Sequence, residues 1–431
     1  MHSDHLEPDM ATTDPAVPAQ PSPQLSEPTE PVRRGWLGYW TSAIFGVYLA
    51  YYATQQILLP RQANAIAAGD SALAVTITSY AGVAAAAVAI VVSITAGALS
   101  DRTLHSRGRR QIWVGAGALL AAAAFVAQGL QTTMLGLIIT WSVFQIGFNA
   151  AYTALLAAVP DDVPVTQRAT VSGFQGLGQS LGPLVGIALV GILVSGVLDG
   201  YLALAVVLIL FTAPFALRTR GAVLQRDQRP PLHLRSVLAD LVAPLRHADF
   251  AWAFGQRFMI QLSNALGLLF LYQYLRDAVR TDPDTGTLVL SLIYTVAVCS
   301  VAVPAGRVSD RTLKRKRMVI VSSVLMGISG LTFAFWPTMP SAMLGAAVLG
   351  LGYGFYLSVD QALVTQVLPH PEDRGKDLGV IQIANVLPAI VASALGGVLV
   401  NSAGGFTALY LSTVVTGFAA ALFVAPIKSV R

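Results

Sequence analysis

GALSDRTLHSRGRR runs from Gly97 to Arg110, and GRVSDRTLKRKR runs from Gly306 to Arg317. The octapeptides that open these two stretches begin 209 residues apart. Phe45–Gly46 and Phe254–Gly255 keep the same offset, and so do Pro160 and Pro369. Landmarks before, at and after the repeated octapeptide therefore agree without a gap, which marks an internal duplication.

Around these landmarks the chain is unusually apolar. Of its 431 residues 55% are hydrophobic and 11% charged, with a mean hydropathy of +0.64. A soluble domain carries about 25% charged residues. So little charge cannot cover a water-exposed surface, and lipid must face much of the chain. Apolar stretches of spanning length alternate with short polar connections. Twelve spans are expected, at 36–59, 74–99, 111–130, 134–159, 169–195, 199–217, 250–275, 287–306, 318–337, 341–368, 377–401 and 406–427. Residues 1–35, with seven prolines and few large apolar residues, read as a disordered cytoplasmic tail. The one long connection, 218–249, holds Pro230, Pro231 and six arginines. It separates a six-helix bundle at 36–217 from another at 250–427, leaving 428–431 as a short C-terminus. An even number of spans per copy gives both copies the same orientation.

Charge sets that orientation. With both termini in the cytoplasm, 23 of the 27 Lys and Arg residues fall on the inner side. The outer loops hold Arg61, Arg276 and Arg280, and Arg257 lies within a span. A multi-pass protein of the plasma membrane is expected. The net charge of +5 is explained by this topology and implies no nucleic acid. The single cysteine, Cys299, permits no internal disulfide and reads as a small buried apolar residue. No Cys/His spacing suggests a metal, and no cofactor is implied. Walker loop, Rossmann glycines, zinc motif and nucleophile elbow are all missing from the sequence, which argues against an enzyme and against ATP as the energy source.

The loop GALSDRTLHSRGRR resembles the signature between spans 2 and 3 of the major facilitator superfamily. The resemblance covers about 36–427. It implies two parallel six-helix repeats with the substrate site between them. It also implies that Gly97, Asp101, Arg102, Arg109 and Arg110, with Asp310 and Arg311 in the second copy, govern conformational switching. Gly97 would permit close helix approach, and the arginines would pair with loop acids or helix C-terminal carbonyls. Asp161, Asp162 and Arg168 in the next loop on that side are plausible partners. The second copy lacks the glycine of the Gly-Arg-Arg cluster and has Lys314, Arg315, Lys316 and Arg317 instead. Within the superfamily, SDRTLHSRGRR, the segment from Ala150 to Gly173 and the segment from Val359 to Pro388 resemble sucrose and glycoside transporters and their bacterial relatives. Thr153 stands where plant-type sucrose carriers have an arginine, and spans 1, 2 and 4 hold no acid.

In that fold spans 1, 4, 7 and 10 line the cavity, and here each carries a polar stripe at helical spacing. Span 1 has Tyr48, Tyr51, Tyr52 and Gln55; span 4 has Gln145, Asn149 and Tyr152. Span 7 has Arg257, Gln261 and Asn264; span 10 has Tyr353, Tyr356 and Asp360. Amides and tyrosines offer donors, acceptors and flat faces suited to a hydroxyl-rich ring. Ordinary interhelical hydrogen bonding is the competing explanation. Asp360 lies about 13 Å and Arg257 about 10 Å from the cytoplasmic helix ends at the helical rise. Deep charges of this kind want partners, and carboxylates commonly relay protons, so Asp360 and Arg257 are the expected coupling pair. Gln175, Gln179, Gln382 and Asn385 are explained as well by helix packing. The expected function is proton-coupled secondary transport of a small polar solute such as a sugar or glycoside, by a monomer. The alternative is proton-antiport export of amphipathic compounds.

Overall fold

A computed structural model describes residues 28–194, 196–221, 223, 246–312, 315–367 and 374–427. The expected tail up to residue 27, most of the expected linker and residues 428–431 lie outside the described residues.

The described chain is helical, in twelve rods. Span 1 is Arg34–Ala53, a π turn at Thr54–Leu58, and Leu59–Ile66. Spans 2 to 6 are Ser71–Asp101, Gln111–Gly129, Met134–Asp162, Val165–Leu193 and Val197–Arg218. Span 7 is Ala248–Leu269, bent by 44° into Leu271–Tyr274 and a second π turn, Leu275–Val279. Spans 8 to 12 are Pro283–Thr312, Arg315–Phe335, Met339–Val367, Arg374–Val400 and Gly405–Val424. Side-chain caps set several starts: Asp70 accepts from Leu73 N, Thr133 from Gly136 N and Asp282 from Thr285 N. Among the described residues nine helices are long and apolar enough to cross a membrane alone, and bent span 7 makes a tenth. The two remaining rods are spans 1 and 11. Span 1 carries Tyr51, Tyr52, Gln55 and Gln56 in its middle, and the apolar part of span 11 is Leu387–Val400.

The main helix pairings within the first six spans recur six spans later. Spans 1–5, 1–6, 2–4, 3–4 and 3–6 pack together, and so do 7–11, 7–12, 8–10, 9–10 and 9–12. The halves meet through spans 2 and 11 and through spans 5 and 8, two contacts that exchange under the same duplication. Close approach depends on glycine where span 5 crosses span 1. A β-carbon on Gly182 would lie 2.9 Å from the Phe45 carbonyl oxygen and 3.0 Å from Tyr48 Cβ. Large apolar side chains such as Leu135, Ile192, Val206 and Leu422 stay about two-thirds exposed or more (67%, 67%, 67% and 72%), which fits a lipid-facing belt. Cys299, expected to be buried, is exposed. It lies on span 8 just before Ser300, which is exposed as well, so that stretch of the helix turns away from the core.

Hydrogen bonds between the halves gather at the face away from the described chain ends, here the far face. Ser79 Oγ donates to the Ser393 carbonyl (2.5 Å), Gln273 Nε2 to Thr78 Oγ1 (2.9 Å) and Asn401 Nδ2 to Thr76 Oγ1 (2.9 Å). Ser291 Oγ donates to Gln56 Oε1 (3.0 Å), and Arg61 pairs with Asp284 at 2.8 Å.

Candidate functional site

The loop from Asp101 to Arg110 folds into a charged cluster on the face of the chain ends. Span 2 ends at Asp101, with Arg102 as its C-cap, and Arg110 is the N-cap of span 3. Between them Gly108 has φ +115, and its N–H donates to the His105 carbonyl (3.1 Å). Arg109 grips Asp161 with two bonds, Nε at 2.9 Å and Nη2 at 2.6 Å. Arg110 donates from Nε to the same carboxylate (2.7 Å), from Nη1 to Ser100 Oγ (2.5 Å) and from Nη2 to Asp101 Oδ1. Desolvation pulls the Arg109 guanidinium down, but Asp161, with Asp101 and Asp162 beyond it, outweighs this and holds it above its usual value. Trp36 Nε1 donates to Asp162 Oδ2 (3.1 Å), and Arg168 Nε donates to the Val163 carbonyl (3.2 Å). One knot thus ties spans 1, 2, 3 and 4. Gly97 is not pressed in this arrangement. A β-carbon there would meet Thr153 Cγ2 at 3.7 Å, an ordinary contact, so close approach at this point does not demand glycine. Asp310 and Arg311 end span 8 as Asp101 ends span 2, but their side chains lie outside the described ones. Lys316 Nζ donates to the carbonyls of Ala425 (2.5 Å) and Ile427 (3.1 Å), just past the end of span 12, where a cation meets the helix dipole favourably.

The polar stripes of spans 1 and 4 meet. Tyr48 and Tyr152 share a hydroxyl–hydroxyl bond of 2.7 Å, and Gln179 Nε2 of span 5 donates to Tyr48 Oη (2.8 Å). Asn149 Nδ2 donates to Gln145 Oε1 (3.0 Å). Gln145 and Asn149 are buried, whereas Tyr51, Tyr52 and Tyr152 are half-buried. Tyr52 stacks on Tyr48 with ring centroids 5.9 Å apart. Gln55 sits half-buried in the π turn.

In the second half Tyr294 Oη donates to Asn264 Oδ1 (3.1 Å) and lies 6.3 Å, ring to ring, from Tyr353. Tyr356 is 2% exposed and belongs to the core between spans 7, 9, 10 and 12 rather than to an open surface. Arg257 is buried, and Gln261 lies half-buried one turn further along the helix. The Asp360 side chain lies outside the described ones, as do those of Gln382 and Asn385.

Three participants, Phe148, Tyr294 and Gln56, escape a search for polar stripes alone, and Trp141 backs them from the buried core. Trp141 and Phe148 stand on the same face of span 4 as Gln145 and Tyr152; Phe148 stacks on Tyr51 at 4.7 Å and Trp141 on it at 6.0 Å. Their spacing of 4, 3 and 4 residues is visible in the sequence once aromatics are counted with amides. Tyr294 is the one tyrosine in apolar span 8, and Gln56 pairs with Ser291 across the halves.

Comparison with known proteins agrees with this architecture. The profile of the Major Facilitator Superfamily matches residues 36–275 and 253–430. An uncharacterised MFS-type transporter, YfiU of Bacillus subtilis (strain 168), is 26% identical over 155 residues, 36% of this chain and 29% of that protein. The multidrug transporter mfsB of Aspergillus fumigatus is 28% identical over 117 residues, 27% of this chain and 19% of that protein. These alignments thus span less than a third of either relative. Among solved structures, the peptide transporter POT superposes with a TM-score of 0.73 at 14% identity, over 92% of this chain and 95% of that one. A mutant of the nucleoside transporter NupG gives 0.69 at 14% identity, over 90% and 100%. Identities this low speak for the fold alone. The family profile covers nearly the whole helical chain, and the protein belongs to the Major Facilitator Superfamily of membrane transporters.

Proposed function

We propose that this transporter is a proton-coupled carrier of a small polar ring solute, such as a sugar or glycoside, working by alternating access in the plasma membrane as a monomer. The carrying observation is the Tyr48–Tyr152–Gln179 network of spans 1, 4 and 5, with the Tyr294–Asn264 pair in the other half, whose span 8 packs on span 5. Such a wall combines hydroxyl partners with flat faces on which a sugar ring stacks. With the chain ends in the cytoplasm, as the excess of Lys and Arg on that side favours, the clasped far face is external and the state described is inward-facing. The knot of Asp101, Arg109, Arg110 and Asp161 then serves as the switching element of the first half. Asp360 and Arg257 remain the proposed coupling pair: an adjacent guanidinium favours the carboxylate and burial without it favours the acid, so separating them drives proton uptake. Export of amphipathic compounds is the second reading. Half-buried Phe148 favours it by extending the aromatic wall beside Tyr51, and the fungal relative mfsB is a multidrug transporter.

The test is uptake of labelled sugars and glycosides into proteoliposomes, with and without an imposed pH gradient. Accumulation that needs the gradient, is lost in Asp360→Asn and leaves substrate exchange measurable supports the reading. Full accumulation by the double variant Asp360→Asn with Arg257→Gln would remove the pair from coupling. Gradient-driven extrusion of an amphipathic dye, with no sugar uptake, selects the second reading.

A further inference from the structure

We propose that Arg61 is a positioning residue for transport: its guanidinium is the clasp that holds the far face shut and must let go before the cavity opens there. The inference rests on the alternating-access reading above. Arg61 leaves the outer end of span 1. Its Nη2 lies 2.8 Å from Asp284 Oδ1 at the start of span 8, and its Nη1 donates to the Val194 carbonyl (3.1 Å) just past span 5. One side chain therefore joins three helices, spans 1 and 5 of the first half and span 8 of the second. The remaining contacts across spans 2, 7 and 11 are mostly bonds between neutral groups, Ser79 to Ser393, Gln273 to Thr78 and Asn401 to Thr76.

Two further observations give the clasp a role beyond packing. The side chains of Arg61 and Asp284 are 16% and 22% exposed. A pair this far from bulk water is less screened than a surface pair, yet both ions rehydrate as the gap opens, so separation does not strand a buried charge. The clasp is also not a by-product of duplication. At the repeat offset of 209 residues, Arg61 corresponds to Phe270 and Asp284 to Val75. Phe270 and Val75 both lie in one buried apolar cluster, so no ion pair stands at the equivalent place; on that side Ser71 of span 2 bonds the charged Arg276 and Asp277 of span 7 instead, without an ion pair across the halves. The ionic contact has no counterpart at the equivalent positions of the duplicated fold. Its removal biases the whole equilibrium toward the state open at the far face, because the bond exists in one state only.

The experiment uses the full chain with Cys299→Ser and Ser291→Cys. Ser291 is buried beneath the clasp, bonded to Gln56. Whole cells are treated with a membrane-impermeant maleimide, and labelling of Cys at 291 is timed. Arg61→Ala and the near-isosteric Asp284→Asn should each speed external labelling about fivefold or more, the range of a typical conformational coupling. The double variant should match the singles, and the charge swap Arg61→Asp with Asp284→Arg should return labelling toward the parent. Parent-like labelling in Asp284→Asn, with normal gel filtration and melting, overturns the clasp, as do additive effects in the double variant. A parent that labels equally and at once from both membrane faces overturns the alternating-access reading itself.

Discussion

At the scale of single residues, the loop after span 2 separates glycines that geometry requires from those it does not. Gly108 has φ +115, and a β-carbon there would press on the Gly221 nitrogen at 2.7 Å. Gly108→Ala should therefore cost about 1–3 kcal/mol in strain, read as a lower melting temperature of the purified protein. Gly97→Ala should leave melting unchanged, since its methyl meets only Thr153 at an ordinary distance. If transport nonetheless slows in Gly97→Ala, the glycine is needed in the other conformational state. The carboxylates divide similarly. Asp161 is 11% exposed and serves two arginines, whereas Asp101 is 45% exposed and serves one. Asp161→Asn should cost about 1.5–3 kcal/mol, the worth of hydrogen bonds to a charged group. Asp101→Asn should cost less, because solvent screens an exposed pair. Thermal unfolding of the two variants side by side gives the order, and a larger loss in Asp101→Asn would contradict it.

At the scale of elements, spans 1 and 5 touch through a glycine ladder. Gly178, Gly182 and Gly186 lie one turn apart and meet Ile44, Phe45, Tyr48 and Leu49. Gly182→Val should overpack this crossing at about 1–3 kcal/mol and displace Tyr48, whose hydroxyl anchors the Tyr152 and Gln179 network. Gly176→Ala, with open space around its β-carbon, is the matched control and should melt like the parent. Equal melting of the two would mean that spans 1 and 5 can move apart at little cost. The π turn at Thr54–Leu58 matters at the same scale. It adds a residue to the turn, so Gln55 and Gln56 leave the face that a regular helix would give them. Gln56 thereby reaches Ser291 in the other half.

At the scale of the whole molecule, orientation is the property most open to direct test. Ser106, in the loop of the charged cluster, and Ser402, beyond span 11, are both exposed and lie on opposite faces of the helical stack. In a Cys299→Ser background, Ser402→Cys should react with an impermeant maleimide on intact cells. Ser106→Cys should react only after permeabilisation. The reverse pattern would invert the assignment of the far face and turn the described state outward-facing.

What the sequence determined by itself was the crossing pattern and the repeat. Spanning length, sparse charge and the 209-residue offset are one-dimensional properties, and lipid enforces them residue by residue because every backbone group in hydrocarbon must be paired within its own helix. The arginine partners in the first loop were also foreseeable, since Asp161 and Asp162 are the acids of the next loop on that face. The tertiary structure alone decided which stripe residues are buried. Gln145 and Asn149 share a helical face with Tyr152, yet their amides satisfy each other and sink into the wall, because an unpaired amide in such surroundings is costly. Tyr356 went into a core for lack of any local signal that span 10 turns its face there. The clasp at Arg61 was equally invisible. Its partners lie at Val194 and Asp284, far along the chain, and no spacing in one dimension brings the ends of spans 1, 5 and 8 to a single guanidinium.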